Sequence, residues 1–155
     1  MSKTMLAVLW HLILATTVMA QSPQIMDNQF KKARVTVFEV SQFQTAPLER
    51  AIGVEYVMDF QAISKRALSK EEIAEVKIAL ADSANYISGV TRSCPFIGEY
   101  GIRIENRSSV TEMVISQETC PKMIFRSGAE EQVTYFDLAK DNSLHKILQR
   151  LISGP

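Results

Sequence analysis

Residues 94–121 read CPFIGEYGIRIENRSSVTEMVISQETCP: two apolar runs around a polar centre, with a Cys-Pro pair at each end. In the first run Tyr100, Ile102 and Ile104 share one face at period two while Arg103 and Glu105 take the other, and in the second Met113 and Ile115 fall together. The stretch predicts a β-hairpin. A four-residue loop over Asn106–Ser109 sets Tyr100 opposite Ile115, Ile102 opposite Met113 and Arg103 opposite Glu112, giving one apolar and one charge-paired face. Carried outward, this register brings Cys94 to within one position of facing Cys120. A β-bulge, or the release from pairing that Pro95 and Pro121 impose, takes up the missing step. The two sulfurs are therefore expected to meet as a disulfide at the open end of the hairpin, worth about 3 kcal/mol by loop closure.

Working outward, Val35, Val37, Phe38 and Val40 form a β-branched and aromatic run, and Val54, Tyr56, Met58 and Phe60 alternate with Glu55, Asp59 and Gln61. Both read as strands, interrupted between them by Ala46-Pro47, where proline lacks a donor. Ser69 with Glu72 makes a capping box, and Ile73, Val76 and Leu80 with Ala74, Ile78 and Ala81 predict a helix over 70–82. Ser83, Asn85, Ser88 and Gly89 end it, leaving Tyr86 and Ile87 to dock a loop. Beyond the hairpin, Lys122 to Arg126 reads as a further strand, Ser127-Gly128 as a turn, and Val133 to Phe136 as a last short strand. Leu144, Ile147, Leu148, Leu151 and Ile152 then repeat at helical spacing behind the possible caps Asp141, Asn142 and Ser143. The expected fold is α+β: an antiparallel sheet of five or six strands with two helices packed on one face.

At the amino terminus, Met5 to Ala20 (MLAVLWHLILATTVMA) follows Lys3 and ends in small residues, the pattern of a secretory signal peptide over 1–20. Retention of that segment as an anchor is the alternative. Residues 21–29 read as a flexible lead-in and 30–153 as one α+β domain. The chain holds 17 basic and 17 acidic residues, and removal of Lys3 leaves a net charge of about −1, so no basic field for nucleic acid exists. No later stretch approaches the ~20 apolar residues of a spanning helix. An exported protein, periplasmic or extracellular and without a membrane span after cleavage, is the expected product.

Residues able to carry chemistry are few. The cysteines lack the Cys-x-x-Cys spacing of a redox pair, and with His145 they offer only three scattered zinc-type ligands. His145, the only imidazole after the leader, falls at the edge of the last helix's apolar stripe and is expected to be exposed or at the boundary rather than catalytic. The six glycines form no phosphate loop, so no cofactor is implied. Asp59, Glu99, Glu105 and Glu112 lie on or near predicted strands, where two could converge as a carboxylate pair. Asn106-Arg107-Ser108 is a formal glycosylation acceptor at the hairpin turn.

Leu68 to Phe125 holds a capped helix, Asn85-Tyr86, Ser93-Cys94-Pro95-Phe96, Tyr100-Gly101-Ile102, Met113-Val114-Ile115 and Cys120-Pro121. In that order it resembles a loose group of small exported bacterial proteins of uncharacterised function. The resemblance implies a bacterial exported α+β domain and supplies no catalytic residue. The functional expectation is a non-enzymatic module that binds another protein or an envelope component, and the alternative is a small hydrolase using carboxylates on the exposed sheet face. Intact-mass spectrometry of the exported protein should find Gln21 first and a mass two hydrogens below the dithiol form; free thiols or a retained leader would contradict these expectations.

Overall fold

The structure is a computed structural model that describes residues 28–87, 92–128 and 133–154. The leader and residues 21–27 of the lead-in lie outside them. Eight strands form one sheet: β1 (Arg34–Gln44), β2 (Tyr56–Val57), β3 (Phe60–Ala67), β4 (Tyr86–Ile87), β5 (Gly98–Glu105), β6 (Val110–Ser116), β7 (Lys122–Ser127) and β8 (Thr134–Leu138). Their order is β2-β3-β1-β5-β6-β7-β8-β4, and every described pairing is antiparallel. Helix α1 spans Lys70–Ala81 and α2 spans Ser143–Ser153. The α+β class is as expected, with eight strands in place of five or six.

The β5–β6 hairpin has the register read from sequence, with Tyr100 opposite Ile115, Ile102 opposite Met113 and Arg103 opposite Glu112. Its ladder shifts between Gly98 and Tyr100, and this bulge takes up the step that separated the cysteines. Cys94 and Cys120 are joined in a disulfide with Cα atoms 6.5 Å apart. At the hairpin tip, Asn106 Oδ1 accepts from the Ser109 amide at 2.9 Å and the Ser108 amide at 3.1 Å, so the acceptor asparagine organises its own turn.

Two additional strands arise where local pattern misleads. The run from Val54 to Phe60 is two strands rather than one, because the chain reverses at Met58 and Asp59, whose φ values are 47° and 76°. Two successive positive φ angles make the tight turn whose twist suits a two-residue hairpin. Nothing about methionine announces such a turn. Tertiary contacts hold it: the Thr45 amide donates to Asp59 O at 2.8 Å, Arg50 pairs with the Asp59 carboxylate, and Met58 is itself buried. Strand β3 continues through FQAISKRA, a segment with little β-branched content. Tyr86 and Ile87 pair with Leu138 and Asp137 as β4 instead of docking a loop.

Both helices pack into one core. Ser69 Oγ accepts from the Glu72 amide at 3.3 Å while Glu72 Oε2 accepts from the Ser69 amide at 2.8 Å, completing the capping box. Asn142 caps α2 by accepting from the His145 amide at 2.9 Å. Val76, Ala79 and Leu80 of α1 and Leu144, Leu148 and Leu151 of α2 meet Val35, Val37, Ile102, Ile104, Met113, Ile115 and Met123. Between the helices, buried Asn85 donates to Ala79 O at 2.8 Å and accepts from the Ser143 amide at 2.8 Å, tying the end of α1 to the start of α2. Gln29, assigned by sequence to the lead-in, docks by donating to Ser127 Oγ at 3.0 Å and accepting from Thr111 Oγ1 at 2.9 Å.

The opposite face is not bare. Phe38, Val40, Val57, Met58, Phe60, Val114 and Ile124 form a second core there, with Ala62, Phe96 and Val133 packed against it. In strand order β2 stands three places from β5. Yet Arg103 of β5 donates to Tyr56 O at 2.5 Å, and the Met58 amide donates to Glu112 of β6 at 3.2 Å. The sheet therefore curls until the β2–β3 ribbon lies over β5 and β6. Register shifts in the β1–β3 ladder at Glu39/Val40 and Val40/Gln44 supply the bend.

Two glycines on β5 make room for it. A Cβ at Gly101 would stand 3.2 Å from methyls of Val40 and Val57, and one at Gly98 only 2.7 Å from the Phe60 ring and 2.9 Å from Ser41 O. Gly98→Ala should therefore destabilise the domain by about 1–3 kcal/mol, the usual cost of overpacking, read from urea denaturation. A midpoint equal to that of the unmodified protein would refute the close approach.

Candidate functional site

The four carboxylates singled out from sequence do not converge; each has its own basic partner. Asp59 pairs with Arg50, and Glu105 with Arg34 at 2.7 Å on the surface. Glu99 accepts the His145 imidazole at 2.9 Å. Glu112 takes Arg103 at 2.9 Å, Arg126 at 2.6 Å and the Met58 amide. Three of the four are thus answered by arginines and Glu99 by a histidine.

His145 stands differently from its sequence reading. It is buried, 5% exposed, and its ring meets Tyr100 edge-on with centroids 5.2 Å apart. The reason lies in the bulge. With Gly98 turned towards Phe60 and Tyr100 in the helix-side core, the extra residue Glu99 reaches the helix side as well and gives the imidazole a carboxylate inside the α2 interface. Burial, with Glu99 beside it, pushes the Tyr100 hydroxyl up to about 12.

The face expected to be exposed is largely covered where its charges lie. Side-chain exposure is 16% at Arg103 and 11% at Glu112, and Arg103 also pairs with Glu55 and stands 5.1 Å over the Phe38 ring. A carboxylate held by two arginines and an amide, with each guanidinium engaged in turn, is a satisfied structural network rather than a free acid or base.

What that face does leave open is aromatic. Phe43, Gln44, Phe60, Phe96, Ile124 and Tyr135 line a cleft of about 200 Å³ between the end of β1 and strands β7 and β8. Phe60 and Phe96 form its floor, their rings 5.7 Å apart and tilted by 57°. Phe43 and Tyr135 stand at its mouth, 66% and 69% exposed. The connection that follows β1 leaves Leu48 and Ile52 fully exposed as well. Among the described residues the lining carries no charged side chain, and its one amide, Gln44, is turned to Met58 O at 3.4 Å. The missed signal was Tyr135, which falls out of phase with Phe136 and Leu138 on β8; Phe43 shares the parity of buried Val35 and Val37, so alternation does not set it apart.

Among the described residues no group of acidic, histidine or cysteine side chains could hold a metal ion, and no helix is long and apolar enough to cross a membrane. No protein family, curated protein or solved structure matches this chain.

The ion-pair network makes a pH prediction. The hydrogen bond from Lys65 holds the Glu55 carboxyl below its ordinary 4.5, against the opposing effect of burial and with further lowering from Arg103. A depressed folded-state pKa contributes stability that is complete above the unfolded value and disappears as pH falls through the folded one. Glu55→Gln should therefore lower the melting temperature at neutral pH, with the gap to the unmodified protein closing on acidification below 4.5. Parallel melting curves across that range would show that Glu55 contributes nothing through its charge.

Proposed function

We propose that this domain is an exported, non-enzymatic binding module that engages another protein or a cell-envelope component through the aromatic cleft. The observation that carries the reading is the pair Phe43 and Tyr135, large rings left in solvent at the mouth of an uncharged recess. Exposed aromatics around a preformed concavity are the kind of anchor that dominates binding energy at protein interfaces. Exposed Leu48 and Ile52 extend the apolar surface beyond the cleft. The described lining, with four aromatic rings, one isoleucine and one amide, favours an apolar group, since a charged one would lose its water there without gaining a partner from these residues.

Export is supported by the hydrophobic leader pattern of residues 1–20 and by the Cys94–Cys120 disulfide, a bond that persists in oxidising compartments. The resemblance to exported bacterial proteins points the same way.

Capture from an envelope extract by the immobilised protein, with the double variant Phe43→Ser/Tyr135→Ser alongside, tests the proposal. The unmodified protein should retain a specific component that the variant captures at least about tenfold less well, with melting temperatures close to each other because both side chains are exposed. Protease treatment of the captured material tells a protein from another envelope component. Equal capture by both forms would remove the cleft as the site.

A further inference from the structure

The geometry points to the Cys94–Cys120 bond as a redox latch on the aromatic cleft: its reduction releases the wall that carries Phe96 while the sheet stays folded. Residues 92–97 belong to no strand, and this segment sets Phe96 against Phe60 in the cleft. Among the described residues the disulfide, four hydrogen bonds and the packing of Phe96 hold it to the body. The disulfide joins it to the β6–β7 connection. The Lys122 ammonium donates to Arg92 O at 2.5 Å and to Cys94 O at 3.0 Å. The Arg92 amide donates to Asp137 at 3.2 Å, and the Gln117 amide to Ile97 O at 3.0 Å. Pro95, between Cys94 and Phe96, has no amide to add.

Both cysteines are half-buried, within reach of a dithiol reductant. Thiol–disulfide exchange breaks the Cys94–Cys120 bond, delivers two electrons and two protons to the two sulfurs, and leaves the donor as its own disulfide. Two of the remaining hydrogen bonds then depend on a single lysine side chain. The ladder beneath is independent of the bond: β5 pairs with β6 from Gly98 to Glu105, and β6 with β7 from Thr111 to Ile115. Loss of the covalent tie therefore acts on the segment before it acts on the sheet. For its effect on binding the inference rests on the reading of the cleft as the binding site; its structural content does not.

Hydrogen–deuterium exchange on the full protein, with and without dithiothreitol, tests the latch. Reduction should speed exchange of the Arg92 and Gln117 amides, which tie the segment to the body, by about tenfold or more while amides within β5 and β6 keep their protection, and Cys94→Ser/Cys120→Ser should reproduce the pattern without reductant. Unchanged exchange at both Arg92 and Gln117 would overturn the latch. So would loss of protection through β5, β6 and β7 together, which would make the bond a staple for the whole domain. Capture by the oxidised protein judges the cleft as a binding site separately from either outcome.

Discussion

The architecture depends on the pairing of Arg103 with Glu112. Cross-strand neighbours on β5 and β6, they project onto the face that the helices do not cover, and there they accept the returning β2–β3 ribbon through Glu55, Tyr56 O and the Met58 amide. Two charges this far from water are costly unless every polar atom finds a partner, and truncating one member of such a pair generally costs about 3–5 kcal/mol. The ribbon supplies the missing partners. Curl and charge are thus coupled: the sheet bends because the ribbon completes the network, and the network can be buried because the sheet bends.

That bend divides the second face. Under the ribbon Phe38 and Val40 meet Val57 of β2 over Gly101; past its end the face opens into the cleft, floored by Phe60 and Phe96. Gly98 lets Phe60 reach its place, the bulge beside it sends Glu99 to His145, and the disulfide fixes the segment carrying Phe96. One short stretch, 94–100, therefore shapes the cleft, the hairpin and the α2 contact together.

Much of this was legible wherever the determinants are close in sequence. The register of the central hairpin follows from alternation and loop length, and Ser69 with Glu72 marks the start of α1 because a capping box needs only four residues. The cysteine pair follows from that register plus one bulge. What stayed hidden was non-local. Met58 and Asp59 reverse the chain through contacts with Arg50, Thr45 and Glu112, none of which their own neighbours disclose. His145 looked like a boundary residue because its carboxylate partner reaches it only through a bulge 46 positions away. The cleft could not be read at all, since its walls come from β1, β3, β7, β8 and the segment before β5. Gly98 and Gly101 were the faint signal: small residues on a strand otherwise rich in large ones mark where another backbone passes close.

The amide of Asn85 has a further consequence. It grips the last turn of α1 with its nitrogen and the first turn of α2 with its oxygen, although the two helices are separated in sequence by five strands, β4 to β8. Neither terminus can fray without stranding a buried polar atom that the other helix relies on. One side chain thus couples the stability of two helix termini drawn from distant parts of the chain, so that loosening either weakens the other.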